Sequence, residues 1–456
     1  MRSIKNAGNL NGKRVIVRVD FNEPLETVNN KIQLGDDLRI KRSLATIKYL
    51  IKKKAIVILL AHLGEPSDGV DPKLSLQVVV DRLADLLKRK SISMDDTILD
   101  SDNKKLQFSF NKLWLLPAKK GVYDILKPGD IVLLDNIRFF KEEKENSIKF
   151  AKFLASLGDL YINEAFSVSH RKHASVVGIS KYLSSYVGFE LAQEVKVLTR
   201  LIDGTAKRPF VLVLGGAKVA DKILIIKNLI KRVDYILLGG VMANTFLAAL
   251  KYNMGKTRID NDSIVEARQL LHKYGDKIIL PTDVVVSDAP CLSKSEAIGY
   301  KQQSSTVVAP CLSKSEAIGY KQQSFRAQNN GAVRTINLQT DKISIDDLIY
   351  DLGPDTITLY ISILVKAHTI AWNGPVGFFE NKNFRIGTMR LARKLCALAV
   401  SKKIFVVAGG GETVDAIKQL PKSKHLDYLS IGGGAMLDFL SGTVLPGIRA
   451  LDKNNQ

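Results

Sequence analysis

The 456-residue chain contains little cysteine and has no long uninterrupted apolar run. Its three cysteines, Cys291, Cys311 and Cys396, are too few for a disulfide framework, so we expect a reducing compartment. No apolar run reaches the ~18 residues that a membrane span needs, and the N-terminus lacks the apolar core of a signal peptide. We therefore expect a cytoplasmic protein that has no membrane partner.

Acidic residues are also few, with 46 Asp and Glu against 67 Lys and Arg, which gives a net charge of +21. Such a balance suits an anionic partner, either nucleic acid or a phosphorylated metabolite. Much of the excess lies in lysine pairs and triplets such as Lys52–Lys54, and no aromatic-interleaved basic segment or zinc-finger spacing is present. These features favour a small phosphorylated ligand, and we expect no specific nucleic-acid partner. Nucleic-acid binding stays the alternative.

The stretch Arg208–Ile230 carries the clearest local signal. Phe210–Leu214 is an all-apolar run typical of a strand covered on both faces, and a Gly-Gly turn ending at Gly216 follows it. An amphipathic helix comes next, with Lys218 and Lys222 in its first turns. A strand, a glycine turn and lysines at a helix N-terminus form a place for phosphate, although the P-loop spacing is absent. The alternative is an ordinary strand-to-helix turn with solvated lysines.

Polar clusters follow the predicted strands of the first half of the chain. Apolar strands at 15–19, 56–60, 131–134 and 160–162 alternate with helices, which predicts a parallel, doubly wound sheet. Ligands of such sheets bind outside the carboxyl ends of the strands, so we expect an anion pocket there. Its basic members are Arg39, His62, Arg138, His170 and Arg171, and its acceptors for sugar-like hydroxyl groups are Asp20 and Asn22. For each residue alone, the alternative is a surface ion pair or a hydrogen-bonded histidine.

Glycine-rich turns follow the predicted strands of the second half. They lie at 239–245, 373–377, 409–413 and 430–435, and Glu380 comes shortly after the second. Because glycine has no Cβ, the backbone N–H groups of such turns can approach a nucleotide closely. Four such turns in one half of the chain predict a nucleotide-binding domain.

One segment interrupts this pattern. Ala289–Ser304 is repeated in full by Ala309–Ser324. Two copies are too few for a solenoid, and the Ser, Gln and Asn content predicts an exposed loop. Cys291 and Cys311 lie in these copies, but the absence of nearby partner Cys or His residues argues against a metal site.

Eight motifs, taken in chain order, resemble those of the phosphoglycerate kinases. They are RVDFNEP at 18–24, AHLGEP at 61–66, LLDNIRFF at 133–140, NEAFSVSHRKHAS at 163–175, LGGAKVADK at 214–222, WNGPVGFFE at 372–380, GGGET at 409–413 and SIGGGA at 430–435. The resemblance covers nearly the whole chain except about 289–345. It implies reversible phosphoryl transfer between 1,3-bisphosphoglycerate and MgADP, giving 3-phosphoglycerate and MgATP, by a monomeric glycolytic enzyme.

The resemblance also implies the domain organisation. We expect an α/β fold of two Rossmann-like, doubly wound parallel-sheet domains with a cleft between them that closes for the reaction. The N-terminal domain, 1–187, would bind 3-phosphoglycerate, and a long helix at 188–203 would lead to the nucleotide-binding domain, 204–428. The repeated insertion at about 289–345 would be irregular, and the C-terminal segment, 429–456, would return to the N-terminal domain.

The resemblance implies the following ligand contacts. The positions for 3-phosphoglycerate are Asp20, Asn22, Arg39, His62, Arg138 and Arg171, to which the anion pocket adds His170. The positions for ATP or ADP are Gly216, Lys218, Lys222, Gly240, Asn373, Glu380, Gly410, Gly411, Glu412 and Thr413. The catalytic groups are Arg39, Lys222 and the helix N-terminus at Gly433 and Gly434, with Mg²⁺ bound near Glu412.

Three residues depart from the family's motifs. Glu65 stands where the family has an arginine, Val241 replaces the third glycine of a GGGMA motif, and Glu412 replaces an aspartate. Together with the net charge, Glu65 motivates a second hypothesis, in which the chain is a weakened homologue that binds nucleotides or nucleic acid. The retained lysines and arginines favour the working enzyme.

Overall fold

The structure is a computed structural model that describes residues 1–67, 69–88, 90–93, 112–116, 126–288, 333–401 and 404–452. Both copies of the repeat, with Cys291 and Cys311, lie outside the described residues. The chain divides into two compact units, Met1–Lys196 with Thr443–Gln456, and Val197–Gly442. We call them unit 1 and unit 2.

Unit 1 is built on nine strands and six α-helices among its described residues. The strands are β1 (Arg14–Arg18), β2 (Leu25–Val28), β3 (Lys31–Leu34), β4 (Ile56–Leu60), β5 (Lys90–Ser93), β6 (Lys112–Leu116), β7 (Ile131–Leu134), β8 (Leu160–Asn163) and β9 (Ser184–Val187). The helices are α1 (Leu38–Lys52), α2 (Gln77–Leu87), α3 (Lys141–Lys144), α4 (Ile148–Ser156), α5 (Phe189–Ile202), which runs across the boundary at Lys196, and α13 (Pro446–Asp452).

Seven of these strands form a parallel sheet in the order β5-β6-β7-β4-β1-β8-β9. The chain adds strands on the β4 side of β1 and then crosses to β8 on the other side. The carboxyl ends of β1 and β8 therefore flank a topological switch point, the place where doubly wound sheets bind their ligands. The strands β2 and β3 form a separate antiparallel hairpin.

Apolar side chains on one face of this sheet pack against α1 and α2. The buried stripe of α1 includes Ile40, Ile47 and Leu50, which join the β1 and β4 side chains in one cluster.

The C-terminal helix α13 packs within unit 1. The Gly447 N–H donates a hydrogen bond to the Ser169 carbonyl, and Asp452 forms an ion pair with the N-terminal amine.

Unit 2 carries the remaining strands and helices of the described residues. The strands are β10 (Phe210–Leu214), β11 (Tyr235–Leu238), β12 (Ile278–Ile279), β13 (Asp283–Ser287), β14 (Arg334–Asn337), β15 (Leu348–Leu352), β16 (Thr369–Asn373), β17 (Phe405–Gly409) and β18 (Tyr428–Ser430). The helices are α6 (Val219–Leu229), α7 (Gly240–Ala249), α8 (Ile264–Tyr274), α9 (Pro354–Lys366), α10 (Ile386–Val400), α11 (Gly411–Lys418) and α12 (Gly434–Leu440).

Six of these strands form a second parallel sheet, in the order β12-β11-β10-β16-β17-β18. The chain builds outward from β10 to β12 and then restarts on the other side with β16. The switch point of unit 2 therefore lies at the carboxyl ends of β10 and β16. These ends are Leu214 and Asn373, each followed by a glycine turn.

The predicted fold class, with two parallel, doubly wound sheets, is confirmed. Sequence analysis missed two antiparallel elements, the β2–β3 hairpin and the three-stranded sheet β14-β13-β15. Part of the insertion predicted as irregular, 289–345, is thus regular, because β14 pairs with β13. The segment predicted to begin its return at 429 first contributes β18 and α12 to unit 2, and Thr443 is where unit 1 resumes. No helix among the described residues is long and apolar enough to cross a membrane.

Candidate functional site

Asp20 organises the switch point of unit 1. Its carboxylate forms an ion pair with the Arg39 guanidinium from α1 and accepts a 2.6 Å hydrogen bond from Ser167 Oγ, in the turn after β8. It also accepts the Asn22 N–H, and Asn22 Oδ1 in turn accepts the N–H of Gly64, in the turn after β4. Groups that follow three strand ends therefore converge on one edge of the sheet.

Arg39 is held at the start of α1 by a second carboxylate, Glu23. Glu23 Oε1 accepts the N–H groups of Arg39 at 2.6 Å and of Ile40 at 3.2 Å, and so caps a helix that has no side-chain cap from its own N-cap residue. Burial raises the pKa of Glu23 to about 7, against the lowering effect of the Ile40 N–H bond and the Arg39 charge. A carboxyl group that titrates near neutral pH thus holds the backbone of Arg39, a candidate binding residue, in place.

His62 is buried and contacts a buried arginine. Its Nδ1 lies 3.1 Å from Nη2 of Arg18, the last residue of β1. The pKa of His62 is held well below its usual value by burial first, and then by the charges of Arg18, Arg138 and Arg39. The ring is therefore neutral at physiological pH.

A buried acid-base cluster lies behind His62. Arg18 Nε donates to Ser175 Oγ at 2.9 Å, and Ser175 Oγ donates to Glu143 Oε1 at 2.6 Å. His173 Nδ1 lies 3.7 Å from the same Glu143 oxygen, and burial followed by the Arg18 charge lowers the pKa of His173 to about 4. Burial also raises the pKa of Glu143, although Arg18 opposes the shift.

Arg138 lies on the strand-end side of this cluster and is largely buried. Its Nη1 donates to the Gly64 carbonyl at 2.8 Å and also pairs with the Glu65 carboxylate. Glu65 forms a second ion pair, 2.7 Å from Lys144 Nζ at the end of α3. Burial would raise the pKa of Glu65, but Lys144 and Arg138 outweigh it, so the pKa lies below its ordinary value.

Arg171 is exposed and belongs to the same basic cluster, since its charge acts on Glu65, Arg138 and His173. His170, the residue before it, is half-buried in the same turn. The structure thus brings together six of the predicted substrate residues, which are linked by hydrogen bonds or by the effect of their charges on one another: Asp20, Asn22, Arg39, His62, Arg138 and Arg171. His170 is adjacent in sequence, and its ligand role stays a prediction.

In unit 2, the glycine turn after β16 interlocks with the turns after β10 and β11. Gly216 N–H donates to the Pro375 carbonyl at 2.7 Å, and Gly240 N–H donates to the Val376 carbonyl at 2.8 Å. A Cβ on Gly215 would lie 1.9 Å from the Pro375 oxygen, so only glycine allows this approach. Gly216 and Gly374 also have positive φ angles, of 75° and 89°, which favour glycine.

Lys222 extends from α6 toward these turns and is only 4% exposed. A Cβ built on Gly216 or on Gly374 would lie 3.1 Å from Lys222 Nζ, which places the ammonium group against the glycine turns. Burial lowers the pKa of Lys222 to about 8, with Glu412 opposing the shift and Lys218 adding to it. The ammonium group is still mostly protonated at pH 7. Lys218 itself is exposed at the N-cap of α6.

The first turn of α11 carries Glu412 and Thr413. Partial burial, followed by the nearby Glu380 carboxyl group, raises the pKa of Glu412 to about 7, while Lys222 opposes the shift. Thr413 is fully buried, and its Oγ1 has no hydrogen-bond partner among the described residues. A buried hydroxyl group without a partner is costly in a native protein and marks a place where a ligand can supply one.

The other predicted nucleotide and catalytic positions lie along the same sheet edge. Asn373, at the end of β16, is buried, and its Nδ2 lies 3.7 Å from Met436 Sδ in α12. A Cβ built on Gly410 would lie 3.6 Å from Asn373 Nδ2, whereas the space beside Gly411 and Gly433 is open. Gly434 begins α12.

A cavity of about 470 Å³ opens beside the glycine turns of unit 2. Its walls include Gly216, Gly240, Val241, Glu380 and Glu412, which sequence analysis had named. They also include Arg258, Tyr350 and Asp351, which lie outside every motif that sequence analysis had named. The volume lies in the range of small-molecule sites, about 300–1,000 Å³.

Comparisons with known proteins agree with this geometry. The phosphoglycerate kinase family model matches residues 4–443. The phosphoglycerate kinase of Coprothermobacter proteolyticus is 37% identical over 454 residues, 99% of this chain and 98% of that protein. That of Desulforudis audaxviator is 39% identical over 442 residues, 96% of each chain. The chain belongs to the phosphoglycerate kinase family.

Solved phosphoglycerate kinases share the fold. The enzyme from Coxiella burnetii superposes with a TM-score of 0.75 at 31% identity, covering 100% of this chain and 99% of that one. The enzyme from Pyrococcus horikoshii gives a TM-score of 0.75 at 27% identity, with the same coverage. As a phosphoglycerate kinase, the chain transfers a phosphoryl group between a nucleotide and the carboxyl group of 3-phosphoglycerate. The alternative of an inactive binding protein is not favoured.

Several residues beside these phosphoglycerate kinase sites escaped the sequence analysis. Arg18 entered the sequence analysis only as the first residue of a motif. A charged residue at the buried end of strand β1, after three apolar residues, is the signal that could have identified it. Glu143 gave no local signal, and the role of Ser175, the last residue of a motif, stayed hidden because their partners are far away in sequence. The pairing of Glu65 with Lys144 likewise depends on tertiary structure.

Proposed function

We propose that the edge of unit 1 binds 3-phosphoglycerate through its acidic, amide and basic side chains. These are Asp20, Asn22, Arg39, His62, Arg138, His170 and Arg171. The guanidinium groups of Arg39 and Arg138 match phosphate and carboxylate oxygens. Asp20 and Asn22 accept from the substrate hydroxyl group, and Arg39 also acts as a catalytic cation on the acceptor.

We propose that the edge of unit 2 binds ATP or ADP, and that the 470 Å³ cavity takes the base and sugar. The residues are Gly216, Lys218, Lys222, Gly240, Asn373, Glu380, Gly410, Gly411, Glu412 and Thr413. The Thr413 hydroxyl group, which is buried and lacks a partner among the described residues, supports this assignment. A phosphate oxygen at α11 would accept its hydrogen bond, in the field of the helix N-terminus.

The observation that carries the proposal is Lys222, a buried ammonium group against two glycine turns at the switch point. Burial of an unpaired lysine costs stability, so its position requires a functional reason. The acceptor is a carboxylate, ionised at neutral pH because its reference pKa is about 3.5–4. The reaction therefore needs no general base, only alignment and positive charge on the transferring oxygens. Lys222 supplies that charge, with the N–H groups at Gly433 and Gly434.

Glu412 is the proposed Mg²⁺ residue. Carboxylate oxygen is a ligand that Mg²⁺ prefers, and nucleotide-bound Mg²⁺ commonly takes only one or two protein carboxylates beside phosphate and water. When bound, Mg²⁺ supplies charge neutralisation on the nucleotide phosphates. A monomeric state and a cytoplasmic location stay predictions.

A pair of lysines in α6 tests the assignment. Lys222→Met removes the buried ammonium group, while Lys227→Met removes an exposed one that pairs with Glu266 at 2.7 Å. In a coupled assay with 3-phosphoglycerate and MgATP, we expect Lys222→Met to lower kcat by about 10²-fold or more, and Lys227→Met to leave it within twofold. Equal rates for both variants and the parent chain would remove Lys222 from the mechanism.

A further inference from the structure

The contact between His62 and Arg18 determines where the histidine carries its proton. Nδ1 of His62 lies 3.1 Å from Nη2 of Arg18, and the two residues are 3% and 0% exposed. An arginine side chain has donors and no acceptor, so Nδ1 has to be the acceptor in this hydrogen bond. A histidine whose Nδ1 accepts is neutral and carries its proton on Nε2.

Arg18 is fixed in the orientation that this bond requires. Its Nε donates to Ser175 Oγ, its Nη1 to the Val19 carbonyl and its Nη2 to His62. Ser175 Oγ uses its own hydrogen for Glu143, 2.6 Å away, and therefore accepts from Arg18. Every bond from the Glu143 carboxylate to the His62 ring thus has one possible direction.

The charges around His62 oppose a second proton on its ring. Burial is the largest cause of its low pKa, followed by Arg18 from β1, Arg138 from the turn after β7, Arg39 from α1 and the nearby His173. Glu143, the carboxylate of this cluster, accepts both the N–H and the hydroxyl group of Ser175, while Asp20 acts on Arg18, and Glu65 on Arg138 and His173, through their charges. A neutral ring agrees with the direction of the Arg18 bond.

We propose that Arg18 is a positioning residue that holds His62 as the neutral Nε2–H tautomer, so that Nε2 donates a hydrogen bond to 3-phosphoglycerate. The contact with substrate rests on the function proposed above. Arg39, Arg138 and Arg171 meet the charge of the substrate. His62 adds a directional donor and no charge, so it fixes the position of one acceptor oxygen.

Nuclear magnetic resonance of the ¹⁵N-histidine-labelled full chain tests the tautomer directly. The chain has six histidines, and loss of one signal in His62→Gln identifies His62. We expect a protonated Nε2 and an unprotonated Nδ1, unchanged between about pH 5.5 and 8, the range in which an ordinary histidine titrates. A protonated Nδ1, or titration of the ring in this range, would overturn the proposal.

A variant then tests whether Arg18 is the cause. Arg18→Met is combined with Glu143→Gln, so that no unpaired carboxylate is left buried. We expect His62 to populate both tautomers and to titrate toward its ordinary pKa, and we expect KM for 3-phosphoglycerate to rise about tenfold and to become pH-dependent. Tyr161→Phe is the matched control, since it removes a buried 2.8 Å bond to the Ser175 carbonyl without touching His62. An unchanged His62 signal in the folded double variant would refute the role of Arg18.

Two replacements of His62 keep the proposal testable if the double variant does not fold. The amide of His62→Gln can donate where Nε2 does, whereas His62→Leu cannot. We expect KM for 3-phosphoglycerate to rise about tenfold more in the leucine variant, and equal KM values would contradict a donor role. The tautomer spectrum is recorded without substrate, so an absence of kinase activity would count against the proposed function and leave the Arg18 contact standing.

Discussion

Replacing Glu65 should strengthen the binding of 3-phosphoglycerate. The Glu65 carboxylate pairs with Arg138 and lies 2.7 Å from Lys144 Nζ, so it occupies cations that an anionic substrate would otherwise meet. Two variants separate charge from size: Glu65→Gln removes the charge, and Glu65→Arg reverses it. Both free Arg138 and Lys144 for the substrate.

The size of the effect follows from the exposure of Glu65. At 2.7 Å, Coulomb's law gives ~1.5 kcal/mol in bulk water and ~6 kcal/mol at an effective dielectric constant of 20. The Glu65 side chain is 65% exposed, which places the pair near the weaker limit, at about 1 kcal/mol. That energy corresponds to about a fivefold lower KM for 3-phosphoglycerate in Glu65→Gln. Glu65→Arg should lower KM at least as much.

The assay measures KM for 3-phosphoglycerate and for ATP at low and at high ionic strength. The KM for ATP should stay the same, and the gain for 3-phosphoglycerate should shrink at high salt because exposed charges are screened. Glu266→Gln is the matched control, since it breaks an exposed 2.7 Å lysine pair in unit 2. A KM for 3-phosphoglycerate that is unchanged or higher in both folded Glu65 variants would refute the reasoning.

Three further variants test the buried groups. Lys222→Met should raise the free energy of unfolding at pH 7 by up to about 3 kcal/mol, because burial lowers the pKa of Lys222 from 10.5 to about 8 and so disfavours its charged form. Chemical denaturation measures the free energy of unfolding. Glu23→Gln should flatten the pH dependence of stability. In the parent chain, the pKa of Glu23 is about 7 when folded against 4.5 when unfolded, so between these values the folded chain binds the extra proton. The free energy of unfolding of the parent chain therefore falls by up to about 1.4 kcal/mol per pH unit as pH rises. An equal slope in that variant would contradict the assignment. Thr413→Val should weaken nucleotide binding about tenfold in calorimetry without loss of stability, and unchanged affinity would exclude the hydroxyl group as a contact.

The sequence predicted which groups meet at the two sheet edges because two simple rules apply there. Apolar runs such as Phe210–Leu214 mark buried strands, and the carboxyl ends of parallel strands meet at one edge. Asp20 and Arg39 are therefore close in the structure, and so are the turns at Gly216 and Gly374. These predictions needed only the order of the strands.

The remaining features could not be predicted because they depend on tertiary pairing. The direction of the bond between Arg18 and His62 follows from what Ser175 and Glu143 do on other elements. The antiparallel strand β14 lies inside the segment predicted as irregular, because its place in a sheet depends on pairing with β13, which precedes the repeats. Glu65 could be recognised as a departure from the family, but only the structure shows that Lys144 accompanies it.

The formation of ADP from MgATP by the parent chain, measured with and without 3-phosphoglycerate, tests the central claim most directly. Glycerate, which lacks the phosphate group, serves as the matched acceptor. We predict rapid turnover with 3-phosphoglycerate and little with glycerate, which lacks the phosphate group that the arginines of unit 1 are proposed to bind. Nucleotide binding without turnover, or equal rates with both acceptors, would contradict it.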